Sequence, residues 1–241
     1  MNRRRTSLIA LISLALVVTP AAVRAQNEHD RHVQQEVNAS MAGHHDHLNG
    51  PHMKWSGERA LTPDDQKRAA EVLVSLRPAL EKYKDYRVAL EEGFQIFAPN
   101  FPQPEYHFTH YGNAFRNSFT FDPARPTSLL YKKTADGYEL VGAMYTASRL
   151  VDEDTLHERI PLSVARWHQH VNLCLPARGQ ERTSDWTQFG PRGSIATEAA
   201  CQEAGGRWRA HLFGWMVHVY PYESDPSRVW QHSLPDAASA K

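Results

Sequence analysis

The chain has 241 residues, of which 41% are hydrophobic and 22% charged, and its 27 lysines and arginines balance its 27 acidic residues. This length is enough for one domain with a sizeable hydrophobic core. Because there is no basic surplus, the composition argues against nucleic acid or an anionic membrane surface as a partner.

The first 25 residues have the pattern of a cleavable export signal. Three consecutive arginines precede an apolar run at residues 8–18, and small residues precede a cleavage site after Ala25. The apolar run is shorter than the roughly 20 residues that a membrane-spanning helix needs. The pattern therefore predicts a periplasmic or secreted protein that begins near Gln26 and has no membrane span after signal cleavage. The arginines are compatible with both the Sec and the twin-arginine routes.

Cleavage would change the charge and the redox environment of the chain. It would remove four arginines and no acid, leaving 23 basic and 27 acidic residues and a net charge of −4. In an oxidising compartment the two cysteines, Cys174 and Cys201, predict a disulfide. Closing a loop of about 27 residues would stabilise the fold by roughly 3 kcal/mol. No Cys-x-x-Cys spacing supports the alternative, a metal-thiolate pair.

Residues 26–57 are polar, lack a core-quality apolar period and predict a flexible, histidine-rich arm. They hold six of the fourteen histidines of the chain: His29, His32, His44, His45, His47 and His52. Short histidine-rich tracts bind transition-metal ions loosely, and a solubilising tail has the same composition. Residues 58–235 are interpreted as a single globular α+β domain.

The domain begins with a helical pattern. Thr62 is a good N-cap, Pro63 suits the first helical position, and two aspartates follow in the first turn. Apolar residues then recur at helical spacing as far as Leu80. We expect Pro78 to kink or restart this helix, and Gly93 to end the second segment.

After a proline-containing loop at residues 99–104, the pattern changes to short β-like runs. The runs lie at residues 106–111, 118–121, 128–132, 140–147, 162–173 and 212–220. Asp136-Gly137 predicts a hairpin turn, and residues 178–207 a long loop with a short helix around 197–203. The predicted fold class is therefore α+β, with N-terminal helices followed by an antiparallel β-sandwich or open barrel.

The run at residues 162–173 places two histidines on one face. On a strand, His168 and His170 lie on the polar side together with Asn172, while Trp167 and Leu173 point to the core. Two neutral imidazoles two residues apart can bind one ion of zinc, copper, nickel or iron. Solvated histidines, cross-strand hydrogen bonds or a polar rim would give the same pattern.

Three further histidines are candidates. In the last strand, His218 shares a face with Met216 and Tyr220, opposite the apolar Trp215 and Val217, and would complete a three-histidine set if this strand neighbours His168. His107 and His110 are three residues apart, so on one strand at most one of them joins a site. Both remain candidates. His157 lies in the acidic run at residues 151–158 and is interpreted as a solvated turn residue, and His211 and His232 have no supporting neighbours in the sequence.

These residues predict a divalent transition-metal site, of zinc or copper. The thioethers of Met144 and Met216 make copper a rival to zinc, and the alternative interpretation of both methionines is that they fill the core. The leading hypothesis is an exported metal-binding protein. The alternatives are a metal-dependent hydrolase or oxygenase that uses the same histidines, and a non-metal interaction domain or one that binds a small-molecule ligand. The chain has no Gly-x-Ser-x-Gly, phosphate-binding or His-Glu-x-x-His motif, so no catalytic residue is assigned.

Overall fold

The computed structural model of the protein describes residues 50–99 and 103–232. The predicted export signal and residues 26–49 of the predicted arm lie outside the described residues. The helices are α1 (Pro63–Leu80), α2 (Tyr86–Glu91), α3 (Tyr111–Asn117), α4 (Glu153–Arg159) and α5 (Glu198–Glu203). The strands are β1 (Met53–Trp55), β2 (Gln95–Ile96), β3 (Tyr106–Thr109), β4 (Ser128–Thr134), β5 (Gly137–Ala147), β6 (His168–Leu175) and β7 (Arg207–Val219).

Helix α1 begins at the predicted cap. The Thr62 hydroxyl accepts from the Asp65 backbone N–H, and the Asp65 carboxylate accepts from the Thr62 N–H. The helix continues past Pro78 to Leu80 and is followed by a 3-10 turn, so Pro78 does not restart it. The carbonyl that Pro78 leaves without a helical donor belongs to Val74, a residue that is 70% exposed, so water can reach this part of the helix.

We expect Asp65 to couple stability to pH. Burial by itself would raise the pKa of this carboxyl, but hydrogen bonds from Arg68, Ser163 and Thr62 outweigh burial and lower the pKa to about 2. A lowered pKa stabilises the folded state above the unfolded pKa, and this contribution is lost as the pH falls toward about 2. Urea unfolding of Asp65→Asn should therefore show a weaker dependence on pH between about pH 5 and 2. Asp64→Asn, an exposed neighbour, should keep the wild-type slope, and an unchanged slope in Asp65→Asn would contradict the assignment.

All strand pairs are antiparallel, and the seven described strands form one sheet in the order β1-β6-β7-β5-β4-β3-β2. The sheet is open, with β1 and β2 at its edges. The predicted hairpin joins β4 to β5, where Thr134 pairs with Gly137. Helices together with an antiparallel sheet confirm the α+β class. The finer choice of a sandwich or an open barrel stays a prediction.

Two predicted strands differ from the structure. Residues 118–121 form a turn and an irregular segment after α3, in which Phe119 is 71% exposed and Phe121 packs against Tyr145 without pairing to a strand. Strand β6 starts at His168 rather than at residue 162. The N–H groups of Val164 and Ala165 both bond to Pro161 O, and this turn takes up the residues before the strand.

The C-terminal end of the predicted arm belongs to the sheet. Met53–Trp55 pairs with β6, and the backbone N–H of Val171 bonds to His52 O. His52 is 3% exposed, with Nδ1 2.9 Å from Asn172 O and Nε2 2.6 Å from Gly193 O. The boundary at residue 57 was therefore wrong for residues 50–57, because backbone pairing with β6 orders a segment that has no apolar period.

The predicted disulfide between Cys174 and Cys201 is present and fully buried. It attaches α5 to the end of β6, next to the long loop that precedes this helix. Both ends of the closed loop lie on regular elements, so the bridge also limits the movement of β6.

The two faces of the sheet differ. The outer face packs against α1 and carries the main core, which includes Phe108, Tyr131, Tyr145, Trp167 and Val217. The inner face is the one shared by register partners Leu130 and His107, Met144 and His218, and Met216 and His168. The inner face has only a small apolar cluster, Leu130, Met144, Met216 and Tyr220.

The sheet curls toward its inner face. Strands β3 and β7 are three positions apart, which in a flat sheet would separate them by about 14 Å. The ring centroids of His107 on β3 and His218 on β7 nevertheless lie 5.4 Å apart. The ring centroids of Phe97, which precedes β3, and Phe213 on β7 lie 5.2 Å apart. The curl gathers side chains from distant strands into one place.

Candidate metal centre

Three histidines of the inner face lie close enough to hold a metal ion. His168, His170 and His232 each offer one ring nitrogen, and these three nitrogens lie within 4.8 Å of one another. Ligand nitrogens on a tetrahedral zinc ion are roughly 3.4 Å apart, given Zn–N bonds of 2.0–2.1 Å. Small side-chain rotations would therefore complete a site, with one coordination position left open.

A bulge in β7 lies opposite the histidine pair of β6. His168 is opposite Met216 and His170 is opposite Leu212, so two extra residues of β7 are accommodated between these pairs. Within the bulge, Phe213 has a φ of +71°, and a Cβ on Gly214 would lie 2.0 Å from Ala147 O. Bulges of this kind redirect side chains beside functional sites. The His168 and His170 ring centroids are 5.4 Å apart.

His232 comes from the end of the described chain and was not predicted. After β7, Tyr220 N–H bonds to Val229 O, and the chain then returns to the inner face. His232 O accepts from His218 Nδ1–H and lies 3.3 Å from the Tyr220 hydroxyl. The His232 ring lies 4.4 Å from that of His168, centroid to centroid. No local sequence pattern marks this residue, because only the return of the chain brings it to the site.

His218, predicted as the third ligand, lies beside the set. It is 7% exposed, and its ring centroid is 5.3 Å from those of His168 and His232. Its Nδ1 is used by the hydrogen bond to His232 O. The third nitrogen of the closest set therefore comes from His232, while His218 supports the backbone of that residue.

The structure separates the two remaining candidates. His107 lies on the inner face next to His218, and its ring is hydrogen-bonded to the backbone of Glu105. His110 instead caps α3, where its Nδ1 accepts from the Asn113 N–H. Its ring packs against that of Phe94, with the ring centroids 5.2 Å apart. His107 thus belongs to the histidine cluster, and His110 has a structural role.

Burial keeps His107, His168 and His218 neutral at physiological pH. Burial lowers the pKa of His168 well below its usual range, and the neighbouring histidines lower it further. Burial also lowers the pKa of His218 to about 3 and that of His107 to about 4. A neutral imidazole is the protonation state that binds a metal ion.

His168 is the central residue of the set. It is 1% exposed, and neither of its buried ring nitrogens has a hydrogen-bond partner among the described residues. A buried polar group without a partner costs about 1–3 kcal/mol. A bound ion would satisfy one of these nitrogens directly, so the metal-free arrangement favours binding.

Aromatic and acidic side chains border the site. The Trp55 ring lies 5.4 Å from His168 and 5.5 Å from His232, centroid to centroid. The Tyr220 hydroxyl donates to Glu105 Oε2 at 2.6 Å, and both residues are buried. The site therefore has an aromatic wall on the β1 side and a carboxylate on the β3 side.

No family model, no curated protein and no solved structure matches the chain. The fold and the site define the class of the protein: an α+β protein with a candidate metal site on the inner face of an antiparallel sheet. In the part of the chain that the structure describes, no helix has both the length and the apolar character needed to cross a membrane.

Proposed function

We propose that the protein is an exported metal-binding protein, periplasmic or secreted, that holds a zinc or copper ion on His168, His170 and His232. The observation that carries the proposal is the buried imidazole of His168, which has no hydrogen-bond partner among the described residues and lies within a set of three converging ring nitrogens. Structural histidines in a protein interior are normally hydrogen-bonded.

The surroundings of the ligands also support a metal ion. Two of the three histidines lie on a strand that is paired on both sides, and ligands on rigid elements keep their geometry without metal. The backbone of the third is held by His218. Hydrogen-bonded partners of ligands contribute roughly 10–100-fold to metal affinity.

Export agrees with the buried disulfide between Cys174 and Cys201, which is typical of oxidising compartments. In this proposal the histidines of residues 26–49 capture the ion. This segment joins the described chain three positions before Met53, the register partner of His170. A short tether of this kind raises the effective concentration of a captured ion at the site.

The test is the metal content of the mature chain in which the five histidines at positions 29–47 are replaced by asparagine. After incubation with zinc or copper and removal of loose ions, we expect about one ion per chain. The further change His168→Ala with His170→Ala should remove it, while His211→Ala, at an exposed position of β7, should keep it. Elemental analysis measures the content.

Two outcomes would contradict the proposal. If the parent chain holds no ion after reconstitution, the non-metal ligand-binding alternative replaces it. If the double variant holds as much metal as the parent chain, the ion lies elsewhere in the protein.

A further inference from the structure

The methionines of the described chain are all opposite histidines of the cluster. Met216 is the register partner of His168, Met144 of His218 and Met53 of His170. These are the three methionines of the chain that fall within residues 50–99 and 103–232. Residues directly opposite on neighbouring antiparallel strands point to the same face, with Cβ atoms about 4.5–5.5 Å apart. Each thioether can therefore reach toward a histidine of the site.

These methionines do not belong to the main core. Met144 and Met216, 6% and 4% exposed, lie in the small inner-face cluster with Leu130 and Tyr220, apart from the residues that pack against α1. Methionine has three flexible torsions and a polarisable sulfur. A thioether in this position can reorient toward an ion at His168 without a change in the backbone.

The charge of the site favours a monovalent ion. An imidazole binds a metal ion as an uncharged ligand, and no carboxylate belongs to the converging set of His168, His170 and His232 among the described residues. The cost of burying an ion rises with the square of its charge, so a divalent ion costs about four times as much as a monovalent one. Glu105, whose carboxylate is bound by the Tyr220 hydroxyl, supplies one negative charge near the methionine cluster.

We propose that the site is selective for Cu(I), with the Met216 thioether as a ligand beside His168 and with Met53 and Met144 as the other sulfur donors of the face. Soft thioether ligands select Cu(I), whereas zinc is satisfied by the imidazoles alone. This inference rests on the proposed function, since it names the ion and the specificity-determining residues of the same site.

The experiment compares the full mature chain with the variant Met53→Leu, Met144→Leu, Met216→Leu. Leucine has nearly the same volume as methionine, so the fold should tolerate the change. Cu(I) affinity is measured anaerobically by competition with a chromophoric chelator, and Zn(II) affinity by the same method. We expect the triple variant to lose at least about 10-fold in Cu(I) affinity while its Zn(II) affinity changes by less than about 3-fold.

X-ray absorption of the Cu(I)-loaded wild type gives a readout that does not depend on affinity. It should show copper–sulfur scattering that is absent from the triple variant and weakened in Met216→Leu. If the wild type shows only nitrogen scattering, or if the ratio of the two affinities is the same in both chains, the methionines only fill space and the inference is wrong. If the wild type binds neither ion, the proposed function itself fails, which is a distinct result.

Discussion

Replacement of His168 by leucine is expected to abolish metal binding and to leave the metal-free protein at least as stable as the wild type. The substitution removes two buried ring nitrogens that have no partner among the described residues, each of which costs about 1–3 kcal/mol. It also removes the central residue of the set of converging histidines. Function and stability should therefore change in opposite directions, as at other strained functional positions.

Thermal unfolding with and without metal measures both effects. At an ion concentration 100 times the dissociation constant, binding stabilises the wild type by about 2.7 kcal/mol, or roughly 5–10 °C in Tm for a chain of this size. The shift should vanish in His168→Leu and persist in His211→Leu, at an exposed histidine of β7. If the metal-free His168→Leu protein is several kcal/mol less stable than the metal-free wild type, His168 is an ordinary core residue.

Removal of the disulfide is expected to give the largest loss of stability. The bridge between Cys174 and Cys201 closes a loop with a sequence separation of 27, which corresponds to about 3–4 kcal/mol on the loop-entropy relation. Cys174→Ala with Cys201→Ala should lower Tm by roughly 7–15 °C. Metal affinity should change by less than about 3-fold, because the histidine end of β6 stays paired with β1 and β7.

Urea unfolding measures the stability, and the reduced wild type is the matched control, since reduction should reproduce the double variant. If the double variant loses less than about 1 kcal/mol of stability, the packing of α5 alone holds the loop between Cys174 and Cys201 in place. A large loss of metal affinity in the double variant would show that the bridge positions the histidine end of β6.

Features set by neighbouring residues could be predicted. The cap at Thr62 and the hairpin before Gly137 depend on hydrogen bonds and backbone preferences within four residues. The disulfide followed from the number of cysteines and the expected compartment. His168 and His170 are two residues apart, and the period of a strand brought them to one site even though a bulge alters the register between them.

The two boundary errors have different causes. Residues 50–57 were assigned to the arm because their partner strand, β6, is distant in the chain and leaves no mark on the local pattern. Strand β6 was extended back to residue 162 because the pattern does not reveal the turn in which Val164 and Ala165 bond to Pro161 O. The bulge at Phe213 also lies in a strand that pairs with β6 on one side and β5 on the other.

The amino-acid sequence by itself determined the α+β class, the disulfide and a pair of histidines on one face of a strand, because local periodicity and residue counts carry that information. The tertiary structure decided which histidine completes the set. It selected His232 because the chain turns back after β7, and it placed His107 near the cluster because the sheet curls. It also placed three methionines opposite the histidines, since strand register is fixed by packing of the whole sheet.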